Sequence, residues 1–253
     1  MVDVDPARSL KAVRFRWAAR RGFFLRAEAP VVGLGYPVPP RTAVLGLLAA
    51  ILGLEKDALA HTLADARVAL RGRCPSTHWH GCNLRKIKST RFLPARVAAK
   101  KMPDLAMSEE QNTQSRQEWL CDPDFEVIAA LPPTLHDDFA ARVREGRWHF
   151  TPCMGLSEML ATVDHRADET LHPLPAALHR VVTPVRLGAG TAVDVGAVLS
   201  AQTRVLSLNL PCAVTEAREF SHASYLLAPD GDAIPVQTDA AWGGSSLGPV
   251  MFL

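Results

Sequence analysis

The chain has 253 residues, 48% of them hydrophobic, which is enough to bury the core of one elaborated domain or two small ones and excludes a largely disordered protein. The net charge of +2 hides an uneven distribution: 17 Lys and Arg with no acid fall in residues 6–27 and 66–103, and the other 193 residues carry 11 Lys and Arg against 26 Asp and Glu. Such polarisation predicts a polyanionic partner.

The amino-terminal residues and the cysteines indicate the compartment. Asp3 and Asp5 replace the basic and apolar start of a secretion signal, and the five cysteines are an odd number. We therefore expect a cytoplasmic protein with free thiols.

The first predicted strand covers residues 13–17, where Val, Phe and Trp alternate with Arg14 and Arg16. A period of two gives one apolar and one cationic face, and the cationic face is a candidate reader of a nucleic-acid backbone. Arg20 and Arg26 follow in the next segment and belong to the same candidate set.

The first predicted helix begins near Arg41 and ends at Gly53. Pro40 suits a first helical position and Gly53 suits a C-terminal stop, and the residues between them are apolar or small on almost every side. Such a helix must be covered by a sheet or a partner. It is too short to span a bilayer.

The middle of the chain predicts two further helices and strands. In order they are a short helix over 55–65, a strand over 67–71, a strand over 125–131 and an amphipathic helix over 136–145 that stops at Gly146. A closing strand at 147–151 or at 181–187 would complete βαββαβ, the ferredoxin-like (RRM-like) plan of an α+β domain.

Residues 72–117 show neither the periodicity of a helix nor that of a strand. An irregular insertion of this length in a compact domain is usually functional or disordered. The insertion is basic and contains aromatic residues, and cations bind phosphates while aromatic rings stack on unpaired bases. Its RNA-binding candidates are Trp79, Arg85, Lys86, Lys88, Arg91, Arg96, Lys100 and Lys101. The alternative is a solvated loop without a partner, with Trp79 as a core anchor.

The last third predicts a β-rich extension. Its expected strands cover 203–210, 224–228, 234–237 and 249–253, with a hairpin turn over 229–232. We predict one ferredoxin-like domain over residues 1–170 and the C-terminal extension over residues 171–253.

Two patterns raise the question of a bound group. Cys74 and Cys82 flank His78 and His80, but structural zinc sites usually show paired arms that this compact run lacks. Gly33-Leu-Gly35 alone is a weak nucleotide-binding signal. We therefore expect no metal and no cofactor.

Three stretches carry a family resemblance. Tyr36-Pro-Val-Pro-Pro-Arg-Thr42 continues into an apolar helix, Phe150 to Leu160 contains Gly155-Leu-Ser-Glu158, and Asp122-Pro-Asp124 leads into a strand. In this order they resemble the Cas five family of CRISPR-associated RAMP proteins, with the best match to its type I-B branch.

The resemblance implies a RAMP fold with a thumb-like insertion, in a non-catalytic subunit of a type I Cascade complex that binds CRISPR RNA. Such a subunit grips the 5′ handle of the guide RNA, reaches the backbone subunit (Cas seven) and contacts the large subunit (Cas eight), so target DNA is an indirect partner. Tyr36, Arg41 and Thr42 then join the RNA-binding candidates, since a helix start offers unpaired N–H groups to a phosphate. The alternative for Arg41 is an ordinary surface charge.

An endoribonuclease that processes precursor CRISPR RNA is the second interpretation. Metal-free cleavage needs a base, an acid and a cation, and His78, His80, Tyr36 and Lys86 are available. Type I-C members of the family cleave with a tyrosine, lysine and histidine set, but no corresponding motif can be placed here, so no catalytic residue is assigned. A general RNA-binding module outside CRISPR is the third interpretation.

Overall fold

The computed structural model describes residues 9–26, 28–29, 33–55, 58–85, 112–217 and 219–253. Its helices are α1 (Arg41–Leu52), α2 (Leu59–Thr62), α3 (Pro133–Glu145) and α4 (Val195–Ser200). Its strands are β1 (Leu10–Ala19), β2 (Arg21–Gly22), β3 (Arg67–Arg71), β4 (Thr77–Arg85), β5 (Asn112–Cys121), β6 (Asp124–Ala130), β7 (Ala161–Pro173), β8 (Ala177–Val181), β9 (Val185–Arg186), β10 (Thr191–Val193), β11 (Leu206–Val214), β12 (Phe220–Leu227), β13 (Ile234–Thr238) and β14 (Trp242–Gly243). Within these ranges, no helix has the length and apolarity needed to cross a bilayer.

A five-stranded sheet forms the centre of the fold. Its strands lie in the order β14, β7, β1, β6 and β3, and every neighbouring pair is antiparallel. Val13, Phe15 and Trp17 are each at most 1% exposed, which confirms the apolar face predicted for β1. Phe15 meets Phe139 of α3 edge to face, with ring centroids 5.9 Å apart. The result is a mixed α and β fold rich in strands.

Helix α1 begins and ends where the sequence predicts. Pro40 precedes it in an extended conformation, and Gly53 ends it in the left-handed conformation with φ 79°. Val44, Leu48 and Ile51 are completely buried in the main core. The core also includes residues of α3, β3 and β12, so the sheet and its neighbours cover the helix as expected.

The opposite face of the sheet is covered by residues 242–252. Ala12 and Leu171 pack there against Leu247 and Val250, and all four are at most 6% exposed. The part of this face around Ala12 and Leu171 is therefore closed to a ligand.

The strand that closes the sheet beside β1 is β7, and both positions predicted for it are wrong. Residues 147–151 form no strand, and residues 181–187 contribute to two other sheets. The expected helix over 55–65 is also shorter, since only Leu59–Thr62 are helical.

Residues 72–117 contain two long strands where the sequence predicts none. Strands β4 and β5 pair antiparallel from Thr77 opposite Leu120 to Arg85 opposite Asn112. The prediction of irregular structure is therefore wrong for the residues of these two strands.

After β7 the chain forms two three-stranded sheets, ordered β10-β13-β8 and β11-β12-β9. Strands β11, β12 and β13 confirm three predicted strands within a few residues, but residues 249–253 form only a bridge from Val250 to Trp242. The turn before β13 exists, with Gly231 N bonded to Ala228 O at 3.0 Å. It joins strands of different sheets, so the hairpin prediction is wrong. The division at residue 170 stays a prediction, and β7 passes through that residue.

Tyr225 provides a test of how β12 packs into the core. Its side chain is 1% exposed, and burial raises the pKa of Tyr225 to about 12. Burial opposes the phenolate, so the buried neutral phenol contributes to the stability of the folded state. This contribution is complete below pH of about 10 and is lost as the pH rises towards 12. Tyr36 is the other tyrosine, so an ultraviolet titration of the Tyr36→Phe variant reports Tyr225 alone. Ionisation near the ordinary phenol pKa in a folded protein would contradict the buried position.

Candidate nucleic-acid interface

Strands β4 and β5 form a two-stranded arm, inserted in the chain between β3 and β6. β2 pairs with β5 at the base of the arm, where Leu120 is buried in the main core. Trp79, on the neighbouring strand, is 46% exposed. One end of the arm is therefore rooted in the core, and the aromatic side chain of Trp79 faces solvent.

One face of the arm carries a stacked aromatic pair. The rings of His80 and Trp119 lie 3.7 Å apart between centroids, and their planes differ by 20°. Trp119 Nε1 donates a hydrogen bond to Gln117 Oε1 at 2.9 Å, which fixes the indole. His78 lies directly opposite Trp119 in the ribbon and shares this face. Flat rings held in this way are surfaces on which unpaired bases can stack.

The loop before α1 holds the base of the arm. Glu118 N donates to Gly33 O at 2.9 Å, and the Glu118 carboxylate accepts from Gly35 N at 3.3 Å. Gly33 has φ 66°, and a Cβ there would lie 2.1 Å from Arg116 O, so the contact requires glycine. The glycine pair that suggested a weak cofactor signal thus serves packing of the chain.

Most of the Cys74 to Cys82 run lies in the extended strand β4, which begins at Thr77. Cys74 precedes β4, its backbone N–H bonds to Pro229 O at 2.7 Å, and burial raises the pKa of its thiol to about 11. Over the described part of the chain, no group of three His, Cys, Asp or Glu residues could hold a metal ion. The expectation of no metal stays a prediction.

Arg14 and Arg16 lie on the sheet face opposite the helices and are paired with carboxylates. Arg14 Nε lies 3.2 Å from Glu126 and 3.4 Å from Glu169. Arg16 Nε donates to Asp124 at 2.8 Å, and this hydrogen bond raises the pKa of Arg16. The cationic face predicted for β1 is therefore balanced by acids from β6 and β7.

Arg26 and Tyr36 lie beside the loop that holds the arm. Arg26 Nε donates to Gly35 O at 2.8 Å, and its guanidinium carbon lies 5.6 Å from the centroid of the Tyr36 ring. Tyr36 is 2% exposed, and its hydroxyl donates to Glu28 at 3.1 Å. The contacts of the Arg26 and Tyr36 side chains therefore help to fix the conformation of this loop.

Arg41 lies at the start of α1, but its guanidinium already donates hydrogen bonds to backbone carbonyls. It donates to Cys212 O at 2.9 Å, to Ala64 O at 3.0 Å and to Ala66 O at 2.8 Å. Burial lowers the pKa of Arg41. The helix start is therefore not the exposed cation that the sequence predicts. Thr42 is half-buried and lines the cleft described below.

The remaining candidates lie on or near the arm. Arg20 is exposed, and its guanidinium makes no ion pair or hydrogen bond with any residue the structure describes. Arg85 pairs with Asn112 through the backbone. The side chain of Arg85 lies outside the described part, as do Lys86, Lys88, Arg91, Arg96, Lys100 and Lys101. Their roles stay predictions.

A cleft of about 630 Å³ separates the arm base and the start of α1 from the β11–β12 hairpin. Phe23, Phe24, Leu25 and Phe220 supply much of its apolar wall. Among the described residues that line it, Glu216 is the charged one, and none is Lys or Arg. The described lining of this cleft is therefore mainly apolar.

A sequence profile of the family described as CRISPR-associated protein (Cas_Cas5) matches residues 12–209. The chain belongs to the Cas five family. The match includes the arm and all three stretches that carried the resemblance, which confirms the family predicted from them. No curated protein sequence matches this Cas five chain at a significant level.

Solved structures resemble this Cas five chain at low sequence identity. A CRISPR protein from Archaeoglobus fulgidus matches with a TM-score of 0.51 and 12% identity, over 95% of this chain and 98% of that chain. A chain of a CRISPR RNA-guided surveillance complex matches with a TM-score of 0.49 and 13% identity, over 88% of this chain and 91% of that chain. The first likeness shows the fold alone.

Sequence reasoning missed the two strands of the arm in this Cas five protein, although one signal for strands was present. Thr77, Trp79 and Trp119 are residue types that strands favour, and they lie on the two strands that pair. It also missed the carboxylates that pair with Arg14 and Arg16, because acids of β6 and β7 are far away in sequence.

Proposed function

We propose that this Cas five protein is a non-catalytic, CRISPR RNA-binding subunit of a type I, I-B-like Cascade complex that grips the 5′ handle of the guide RNA. The observation that carries the proposal is the arm. It is rooted in the core, exposes Trp79 and presents the His80–Trp119 stack. The segment between its strands supplies Lys86, Lys88 and further cations. Aromatic surfaces next to cations are what single-stranded RNA binding requires.

We infer that the domain follows the ferredoxin-like plan. The chain order β1, α1, β3, β6, α3, β7 gives βαββαβ, and the sheet order β7-β1-β6-β3 places the first and third strands of this plan at the centre. The arm then enters between the second and third strands of the plan, as a thumb-like insertion in the RAMP fold.

The partners we propose are the CRISPR RNA, the backbone subunit (Cas seven) and the large subunit (Cas eight), with target DNA contacted indirectly. Exposed large apolar side chains support contacts with other subunits. Leu160 is 65% exposed, Leu199 71% and Phe220 50%, and they lie in different parts of the chain. Apolar groups left exposed in this way are typical of surfaces that meet neighbours.

The proposal of a non-catalytic role is supported by the state of the candidate acid–base groups. Tyr36 is buried with its hydroxyl bonded to Glu28, and the His80 ring is stacked on Trp119. The Tyr36 hydroxyl is therefore not open to a phosphodiester in this arrangement, whereas the His80 ring is half-buried. Endoribonuclease activity is the alternative that the experiment must separate.

Two assays with purified protein test the proposal. With guide RNA, we expect protection of the 5′ handle from nuclease, and no such footprint on an RNA that lacks the handle. With precursor repeat RNA in EDTA, we expect bound but intact RNA. Site-specific cleavage that disappears in the His78→Ala, His80→Ala double variant would assign the endoribonuclease function instead.

A further inference from the structure

The arginines of the described chain differ in their partners. Seven have a carboxylate partner, namely Arg14, Arg16, Arg71, Arg142, Arg144, Arg147 and Arg204. Arg67 and Arg186 are exposed and form no ion pair or hydrogen bond with a described residue. Both line one cleft of about 580 Å³, between the start of β3, β9 and the segment that contains β14.

The guanidinium of Arg67 is held in place by aromatic rings. Its central carbon lies 5.1 Å from the centroid of Trp242 and 5.9 Å from that of Phe252. Trp242 is fixed in turn by two backbone hydrogen bonds with Val250, each 2.8 Å long. Arg67 is therefore positioned by contacts that leave its N–H groups without acceptors in the described chain, which lowers the entropy cost of binding an anion.

The cleft is electrostatically unbalanced. None of the described residues that line it is Asp or Glu, so Arg67 and Arg186 add their positive potentials there. Arg41 donates to the carbonyl of Ala66, the residue directly before Arg67, at 2.8 Å, so a third cation lies near the start of β3. Asp239 stands at the margin, beside Gly190, and is exposed.

We propose that the Arg67–Arg186 cleft binds a phosphodiester of a single-stranded nucleic acid. The two guanidinium groups supply the donors for the phosphate oxygens, and the half-buried rings of Trp242 and Phe252 supply an apolar surface for the adjoining base or ribose. A duplex would keep its bases away from such rings. The cleft shares no lining residue with the arm, so this contact goes beyond the proposed grip on the handle and does not depend on it.

The test uses the full chain and a fluorescein-labelled oligouridylate, with affinity measured by anisotropy across a salt series. The Arg67→Ala, Arg186→Ala variant should flatten the slope of log affinity against log salt by about 0.7 for each phosphate that it releases. Asp239→Asn should raise the affinity. The control variant Arg180→Ala, Arg204→Ala removes the same charge elsewhere and should leave the slope unchanged. A parental slope in the cleft variant, or equal losses in both variants, would overturn the proposal.

A second measurement tests the cleft even if the cleft variant fails to fold, because it uses no substitution. Unsubstituted protein is crosslinked to oligouridylate that carries 4-thiouridine, and the peptides are identified by mass spectrometry. We expect crosslinks to peptides that contain Trp242 or Phe252, and their absence would refute the cleft as a binding site. If handle protection fails while these crosslinks form, the proposed function fails and the cleft stands; the reverse result removes the cleft alone.

Discussion

Replacing Gly155 by alanine should destabilise the protein by about 2–5 kcal/mol. Gly155 has φ 97°, where an L side chain costs about 1–2 kcal/mol, and forcing an added atom against a packed backbone costs about 1–3 kcal/mol more. A Cβ at this position would lie 1.9 Å from Phe23 O. The backbone cannot retreat easily, because Phe23 N is bonded to Met154 O at 3.0 Å and Met154 is fully buried.

Gly46 provides the matched control in helix α1. A Cβ on Gly46 meets no atom within 4 Å, so Gly46→Ala should stabilise the helix by about 0.5–1 kcal/mol. Equilibrium unfolding in urea measures both variants against the parent protein. An unchanged midpoint for Gly155→Ala would show that the close approach to Phe23 is absent. The prediction gives a physical reason for the glycine in Gly155-Leu-Ser-Glu158, one of the stretches that carried the family resemblance.

Helix α1 could be predicted from sequence because its determinants are local. Pro40 sets the start, Gly53 sets the end, and the residues between them are apolar or small on almost every side. No distant residue has to be known for any of these statements.

Strand β7 could not be predicted because a bulge interrupts its pattern. The register with β1 shifts between Arg14 and Phe15, and Arg166 is the extra residue of β7. A bulge reverses the side to which later side chains point. Val163 therefore packs in the helix-side core, and Leu171, eight residues later, packs on the other face. A test for one continuous apolar face fails on such a strand.

The arm was missed for a different reason. A two-stranded ribbon need not bury either of its faces, so apolar alternation is not required of the arm. His78 and Trp79 are both exposed although they point to opposite faces. The prediction for β1 was incomplete for another reason. Arg14 and Arg16 are visible in the sequence, but the acids that pair with them lie on the distant strands β6 and β7.

Replacing Arg85, Lys86, Lys88 and Arg91 by alanine should produce the largest loss of RNA affinity. These four cations lie at the end of β4 and in the segment that follows, with no acid before Asp104. For single-stranded RNA, each phosphate neutralised contributes about 0.7 to the slope of log affinity against log salt. The quadruple variant should therefore flatten the slope by up to about 3 units if all four side chains contact phosphates.

The control for this variant removes four positive charges away from the arm. Arg144, Arg147 and Arg204 are each paired with a carboxylate, and Arg180 is exposed on β8, so their alanine variant changes net charge equally without touching the proposed grip. We expect its slope to match the parent. In the arm variant, affinities for handle RNA and scrambled RNA should fall together, because contacts to phosphates carry no sequence information. If only the affinity for handle RNA falls, or if the slope is unchanged, the arm acts by reading bases or by supporting the fold, and the phosphate grip is refuted.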